Sequence, residues 1–337
     1  MLGNIKIAVD AMGGENSPKK VIDGILENYK KNKDIIYNIF GDEEKIKPLL
    51  PSNFNKEIFN IINTKNKILD TDSPLSAAKK GKDTSMWLTI QSVKKNESDV
   101  AISAGNTGAL FVISKLNLKM IENIDKPALS ALWPNKKNFN IVLDLGANIE
   151  CSDKNLIDFS IMGSSLFKSL YPNDNPEVAL LNVGSEELKG NEIIKKAYQY
   201  LQNNKNRNFN FQGYVEGNNI MDGNVNVIVT DGFTGNVALK TAEGTANFIM
   251  NEFKSSMTSN ILGKISSLIN IKNLKKIKNK LDPRLYNGAI LIGLNSPVVK
   301  SHGSTDYIGF SHSLNVCIKI VKNNLIQKIK DNIIKWE

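Results

Sequence analysis

The stretch Ile5-Lys-Ile-Ala-Val-Asp-Ala-Met-Gly-Gly14, with residues 18–31 behind it, decides the fold class. Residues 5–9 are a short, mostly apolar run that ends in Val9, as a buried strand does. Asp10 to Gly14 is a polar turn, and its paired glycines reach backbone angles that other residues avoid. From Pro18 to Lys31 apolar residues recur at helical spacing, and proline suits a helix opening because its missing N–H would have no intrahelical partner there. Strand, glycine turn and amphipathic helix make one βα unit.

The same alternation extends outward. Strand-like runs lie at 35–40, 100–103, 141–145, 178–183, 225–230 and 290–294, most of them short and bounded by Gly, Asn or Asp. Helices are expected at 18–31, 74–95, 107–120, 153–170, 186–202, 234–257 and 311–335, long enough to cross between parallel strands. The expected fold is α/β, a mainly parallel, Rossmann-like sheet flanked by helices. Neither a long repeat nor a low-complexity linker divides the chain, so residues 1–337 read as one domain.

Composition narrows the function classes. The chain has 337 residues, 41% hydrophobic and 23% charged, which is ordinary for a folded protein and far from a disordered one. Cys151 and Cys317 are far apart and lack a metal-ligand pattern, so neither a disulfide framework nor a zinc site is expected. Residues 1–10 carry no secretion signal, and no run of about 18 apolar residues marks a membrane span. A cytoplasmic protein is expected. The net charge of +9 is concentrated: residues 254–284 hold eight basic residues against Asp282 alone, a local excess of +7. A nucleic-acid groove would draw its charge from several elements with aromatic residues among them, so nucleic acid is not expected.

Chemistry is expected beyond the carboxyl ends of the strands, where glycine admits backbone N–H groups to an anion and the next helix adds its positive dipole end. Four loops qualify: Asp10-Ala-Met-Gly-Gly14, Ser103-Ala-Gly-Asn-Thr-Gly108, Asp144-Leu-Gly-Ala-Asn148 and Asp231-Gly-Phe-Thr-Gly-Asn236. The second and fourth share Gly-x-Thr-Gly, as two loops facing one pocket might. G-x-G-x-x-G and G-x-x-x-x-G-K-[ST] are absent, so no nucleotide cofactor is indicated, and no other cofactor is expected. A nucleophile elbow and H-E-x-x-H are also missing, and the only histidines are His302 and His312.

The motifs, taken in order, resemble the bacterial phosphate acyltransferases. The resemblance rests on residues 7–14, 102–109, 143–148, Leu181-Asn-Val-Gly-Ser-Glu-Glu-Leu-Lys-Gly-Asn191, 231–237, Leu239-Lys-Thr-Ala-Glu-Gly244 and Lys300-Ser-His-Gly-Ser304. It departs from the family at Glu15, where Asp is more usual, and at Ser296-Pro297, where Gly is commoner. It implies an architecture similar to isocitrate dehydrogenase and phosphotransacetylase. It implies a reaction too, transfer of a long-chain acyl group from acyl carrier protein to inorganic phosphate. The acyl phosphate would then serve a membrane glycerol-3-phosphate acyltransferase in phospholipid synthesis, and a homodimer is implied. A coenzyme A-dependent short-chain phosphotransacetylase and a noncatalytic membrane scaffold are the alternatives.

This chemistry needs positioning more than a strong base, because phosphate is already an anion and a thioester is an activated donor. Lys189 is the expected cation, with a solvated helix lysine as its bland reading. Asn236 and Asn106 offer amide hydrogens, and Thr107 and Thr234 hydroxyls, to phosphate or the carbonyl. Capping of the following helices is the alternative use of all four. His302 either binds phosphate, protonates the leaving thiolate or is a buried structural histidine. Asp10, Asp144 and Asp231 would repel phosphate, so they are expected to orient lysine or backbone N–H groups. Gly13, Gly14, Ser103, Gly105, Asn148 and Gly235 complete the expected binding loops.

From Met257 onward apolar residues recur at helical spacing among lysines, an amphipathic helix or helical hairpin. Lys264, Lys272, Lys275, Lys276 and Lys278 are expected to meet an anionic membrane surface, giving peripheral attachment. Docking of an acidic carrier and dimer packing remain open as other uses of this protruding segment, 254–284.

Overall fold

The computed structural model describes residues 4–204, 208–280 and 282–334; the side chains of residues 80, 263, 264, 267, 277, 278 and 280 lie outside that description. The side chain of residue 334 lies outside it too. The strands of the structure are β1 (Ile5–Asp10), β2 (Ile35–Gly41), β3 (Phe59–Asn63), β4 (Val100–Ser103), β5 (Ala128–Pro134), β6 (Phe139–Leu143), β7 (Glu177–Asn182), β8 (Asn210–Glu216), β9 (Val227–Val229), β10 (Ala289–Ile292) and β11 (Val298–Lys300). They form one sheet in the order β3-β2-β1-β4-β11-β10-β5-β6-β9-β7-β8. The helices are α1 (Lys19–Lys31), α2 (Glu43–Ile46), α3 (Pro74–Lys80), α4 (Ser85–Lys94), α5 (Thr107–Leu118), α6 (Asp153–Leu170), α7 (Glu192–Asn203), α8 (Gly232–Thr258), α9 (Ile261–Ile269), α10 (Ile271–Lys280), α11 (Tyr307–Lys322) and α12 (Leu325–Ile334).

The expected α/β class holds, with one addition. Strands β3, β2, β1, β4 and β11 are mutually parallel, and so are β6, β9, β7 and β8. Between the halves, β11, β10, β5 and β6 pair antiparallel. The halves therefore run in opposite directions, and the registers show where they end. Asp10 pairs with Ser103, Ser103 with Lys300 and Lys300 with Ala289. Ile290 faces Ser130, so the next step of that register sets Ala289 level with Ala131, which pairs with Val142, itself opposite Ile228. Asp144 and Thr230 lie two residues beyond Val142 and Ile228, about 7 Å at strand rise. The carboxyl ends of both halves thus stop near one line across the sheet.

Burial sets the layers. β1 and β4 are almost wholly buried, as strands covered on both faces must be. Helix α6 is buried along most of its length, yet it carries Ser160, Ser164, Ser165 and Ser169. Each of these hydroxyls donates to a carbonyl three or four residues back, at 2.8–2.9 Å, so the helix stays dry without stranding a donor. Ser152 and Asn155 close a capping box at its start.

Several boundaries differ from the sequence reading. Residues 74–95 hold two helices parted near Gly81, and the described part of 311–335 falls in two helices, α11 and α12, parted at Asn323 and Asn324, the latter at φ +52°. The helix expected from residue 186 starts at Glu192, capped by Asn191, which leaves Lys189 in a loop. Strands β3, β5, β8 and β11 were not anticipated: β11 has three residues, and the edge strand β8 is mostly part-exposed. The basic segment is helical as expected, with α9 and α10 exposed at the far end of α8.

Phe159, fully buried on α6, tests the layering. Phe159→Ala is expected to lower stability to urea by about 3–5 kcal/mol, the usual cost of a large-to-small core change. A loss below about 1 kcal/mol would show that α6 is not the packed centre.

Candidate active site

In the first half of the sheet, the loops after β1, β4 and β11 adjoin, because those strands are neighbours. Asp10 is buried, and its carboxylate accepts from the Ser103 hydroxyl at 2.6 Å and the Met12 N–H at 3.2 Å. Burial pushes its pKa up, opposed first by the Ser103 hydrogen bond. Ser103 Oγ in turn accepts from the Gly105 N–H at 3.0 Å, and Gly13 lies so close to Gly105 that a side chain has no room there. Gly14 sits at φ +81°, where a Cβ would stand 2.7 Å from the Ala104 carbonyl and 3.0 Å from Lys20 Nζ.

Two lysines that sequence reasoning passed over close this cluster. Lys20, 5% exposed, sends its ammonium from α1 to the Gly303 carbonyl. Lys300, 9% exposed, ends β11 and donates to the Ser301 and Ala104 carbonyls. Burial first, then the Lys20 charge, pulls Lys300 down to about 8. Lys300 stands in the Lys300–Ser304 motif of the family resemblance, which was the available signal, since the three-residue strand it ends gives none. Lys20 follows Lys19 at a helix start and reads as a surface lysine; nothing local marks it.

His302 follows at the solvent-facing rim, so it is not a buried core histidine. Its Nδ1 accepts the Ser304 N–H at 3.3 Å, which leaves the proton of the neutral ring on Nε2. Partial desolvation first, then Lys300, holds its pKa below the ordinary value. At neutral pH the ring offers one Nε2–H donor and no positive charge.

In the second half, the loops after β6, β9 and β7 adjoin for the same reason. Asp144 is buried and accepts from the N–H groups of Leu129 at 2.9 Å, Gly146 at 3.2 Å, Ala147 at 3.0 Å and Asn148 at 2.7 Å, and from the Asn148 amide at 2.8 Å. Burial raises its pKa against those bonds. Asp231 caps α8, taking the Thr234 N–H and the Thr234 hydroxyl at 2.8 Å each. The carboxylates therefore orient backbone N–H groups and neighbouring hydroxyl or amide side chains, and among the described residues none of the three pairs with a lysine within 4 Å.

Two expected donors are already committed. The Thr234 hydroxyl points to Asp231, and the Asn106 amide donates to the Asp70 and Asp72 carbonyls at 3.1 and 3.0 Å while its oxygen caps α5. Thr107 opens α5 exposed. Lys189 is exposed, 3.7 Å from Glu186, in a loop that Asn182 holds through the Gly184 and Lys189 carbonyls. Asn182 Oδ1 is buried and has no hydrogen-bond partner.

Helix α8 starts in the second cluster. Gly235 lets its first turn press on the 144–148 loop, for a Cβ there would lie 2.0 Å from the Asp144 carbonyl. Asn236 donates to the Leu145 carbonyl at 3.2 Å. Lys240 and Glu243, at i+4 and i+7 from Asn236, share its helix face and act electrostatically on His302. This face of α8 thus starts in the second loop cluster and lies within electrostatic reach of the first. Away from both, a cavity of about 570 Å³ between β2, β3 and α4 includes Asn38, Asn60 and Gln91 but none of the glycine-rich loops.

Residues 5–328 match the family model described as fatty acid synthesis protein. The chain is 71% identical over 329 residues to a phosphate acyltransferase of Pelagibacter ubique (strain HTCC1062), covering 98% of each. It is 41% identical over 336 residues to that of Rhodospirillum rubrum, covering 99% of this chain and 96% of the relative. Among solved structures it is similar to phosphotransacetylases from Streptococcus pyogenes (TM-score 0.63) and Staphylococcus aureus (TM-score 0.61), each at 15% identity with 95% of this chain and 94% of the other covered. At that identity the likeness concerns the fold.

Lys300 also predicts a pH signature. Its folded pKa, about 8, is below the 10.5 of an ordinary lysine, so between those values the unfolded chain holds a proton that the folded chain has released. Stability at this residue rises with pH across that window, by on the order of 3 kcal/mol. Lys300→Met is therefore expected to be more stable than the parent at pH 7 in phosphate-free urea titrations, with the difference shrinking as pH approaches 10. A pH-independent difference would mean that Lys300 has an ordinary pKa.

Proposed function

The chain belongs to the phosphate acyltransferase family, and from that premise we propose that it transfers a long-chain fatty acyl group from acyl carrier protein to inorganic phosphate. The strand ends of both loop clusters on one line, with Lys240 and Glu243 of α8 acting on His302, carry this reading. A thioester and a phosphate must be held within attack distance, and two sets of strand ends on one line offer two sets of donors.

The reaction balances without a cofactor. An oxygen of hydrogen phosphate forms a bond to the thioester carbonyl carbon, and negative charge grows on the carbonyl oxygen. The carbon–sulfur bond then breaks with its electron pair going to sulfur, and the proton carried by hydrogen phosphate ends on the thiol. Lys189 supplies a mobile cation and Asn236 an amide beside the reacting carbonyl. One preorganised donor of this kind is worth about 3–4 kcal/mol in such transition states. His302, neutral and protonated on Nε2, donates a hydrogen bond to phosphate rather than acting as a strong acid.

Surroundings of the site fit the same reading. The acyl phosphate feeds a membrane-bound glycerol-3-phosphate acyltransferase, and the exposed arm α9–α10 holds the enzyme at an anionic membrane surface. Ile261, Leu262, Leu268 and Ile271 are exposed there beside Lys272, Lys275 and Lys276. The Lys264 and Lys278 side chains fall outside the described residues. Phe248, Ile249 and Phe253, exposed on α8, suit a second copy of the chain. Among the described residues no helix is long and apolar enough to cross a membrane.

Incubation with long-chain acyl carrier protein and phosphate should give an acyl phosphate that hydroxylamine traps under conditions sparing the thioester. Acetyl coenzyme A should give much less. Lys189→Ala should cut phosphate use by about 10²-fold while the fold persists. Absence of phosphate-dependent hydroxamate would overturn the reading, and unchanged Lys189→Ala kinetics would remove that residue from the site.

A further inference from the structure

Lys20 and Lys300 are two buried lysines on either side of the Ala104 carbonyl that borders Gly14: Lys20 Nζ lies against Gly14 and Lys300 donates to Ala104, and no carboxylate oxygen among the described residues lies within 4 Å of either. Among the described residues each donates hydrogen bonds to carbonyls alone: Lys20 to Gly303, Lys300 to Ser301 and Ala104. Six N–H donors share three acceptors, so donor capacity remains. The carboxylates nearby do not supply a direct partner. Asp10 is spent on Ser103 and the Met12 N–H, and Glu15 and Asp70 are exposed and act only at longer range. Uncompensated buried charge is unfavourable and persists mainly where a ligand completes it. His302 adds an Nε2–H within the electrostatic reach of both lysines.

We propose that Lys20 and Lys300 form a subsite for a phosphate group, with His302 at its mouth. A tetrahedral oxyanion supplies the missing acceptors and the missing negative charge together, and lysine suits it as a point-charge donor. The inference rests on the reaction proposed above, in which two phosphate groups are at hand. One is inorganic phosphate, the attacking substrate. The other is the phosphodiester in the pantetheine arm of the carrier.

The test compares the full chain with Lys20→Met and Lys300→Met. Thermal unfolding and calorimetry with inorganic phosphate alone come first. Phosphate is expected to raise the melting temperature of the parent, and each variant should lose that rise and at least tenfold in phosphate affinity while being no less stable in phosphate-free buffer. A structural role for the lysines would give the reverse, variants of lower stability with the phosphate response intact. Steady-state kinetics then use two acyl thioesters, one on phosphopantetheine and one on N-acetylcysteamine, which has no phosphate.

A tenfold higher KM for inorganic phosphate with both donors assigns the subsite to the attacking phosphate. A higher KM for the phosphopantetheine donor alone, with phosphate binding retained, assigns it to the carrier arm. Variants that keep the phosphate response and both KM values overturn the proposal. A parent that binds phosphate through these lysines yet forms no acyl phosphate would refute the reaction and leave the subsite standing.

Discussion

The constraint on which the architecture depends is the antiparallel pairing of β5 and β10 between two parallel half-sheets. A parallel sheet places its ligand-binding loops at one edge, since every strand ends there. Reversing direction in the middle would send the two sets of loops to opposite edges if the halves lay side by side. They are staggered instead, so the β1, β4 and β11 ends and the β6, β9 and β7 ends stop near one line. Helix α8 starts from the second set, where the close approach at Gly235 fixes its first turn, and its Lys240 and Glu243 act electrostatically on His302 of the first.

Charge is divided unevenly across this arrangement. The aspartates that end the strands are spent holding backbone N–H groups and nearby hydroxyl or amide side chains, which shapes the loops and keeps those carboxylates from meeting an incoming anion directly. Among the described residues, the lysines that end β11 and open α1 have only carbonyls as hydrogen-bond partners. The first half therefore holds positive charge awaiting a counter-ion, while the second offers amides and an exposed lysine. Such a division suits a reaction in which one substrate is an anion and the other develops negative charge on an uncharged carbonyl.

Much of the fold was legible in the sequence. Strands β1, β2, β4 and β7 and helix α6 show the right periodicity and turn residues, and they stand within a residue or two of the expected bounds. Three-residue β11 and part-exposed β8 carry too little apolar pattern to announce themselves, and the antiparallel middle follows from pairing that no local signal encodes. In the site, the glycine-rich loops were readable because glycine and aspartate mark tight βα turns. That Asn106 and Thr234 are committed to Asp70, Asp72 and Asp231 was not, because a capping residue and a ligand donor have the same local sequence. Lys20 was invisible, since its burial depends on Gly303, which lies 283 residues away.

The central claim is that the two loop clusters act as one site across α8. A double-mutant cycle in kcat/KM between Asn236→Ala, in the second cluster, and His302→Ala, in the first, tests it most directly. The account predicts a coupling energy of at least about 1 kcal/mol, the double variant losing less than the product of the single losses. Losses additive to within about 0.5 kcal/mol would place the two residues in independent sites and contradict it.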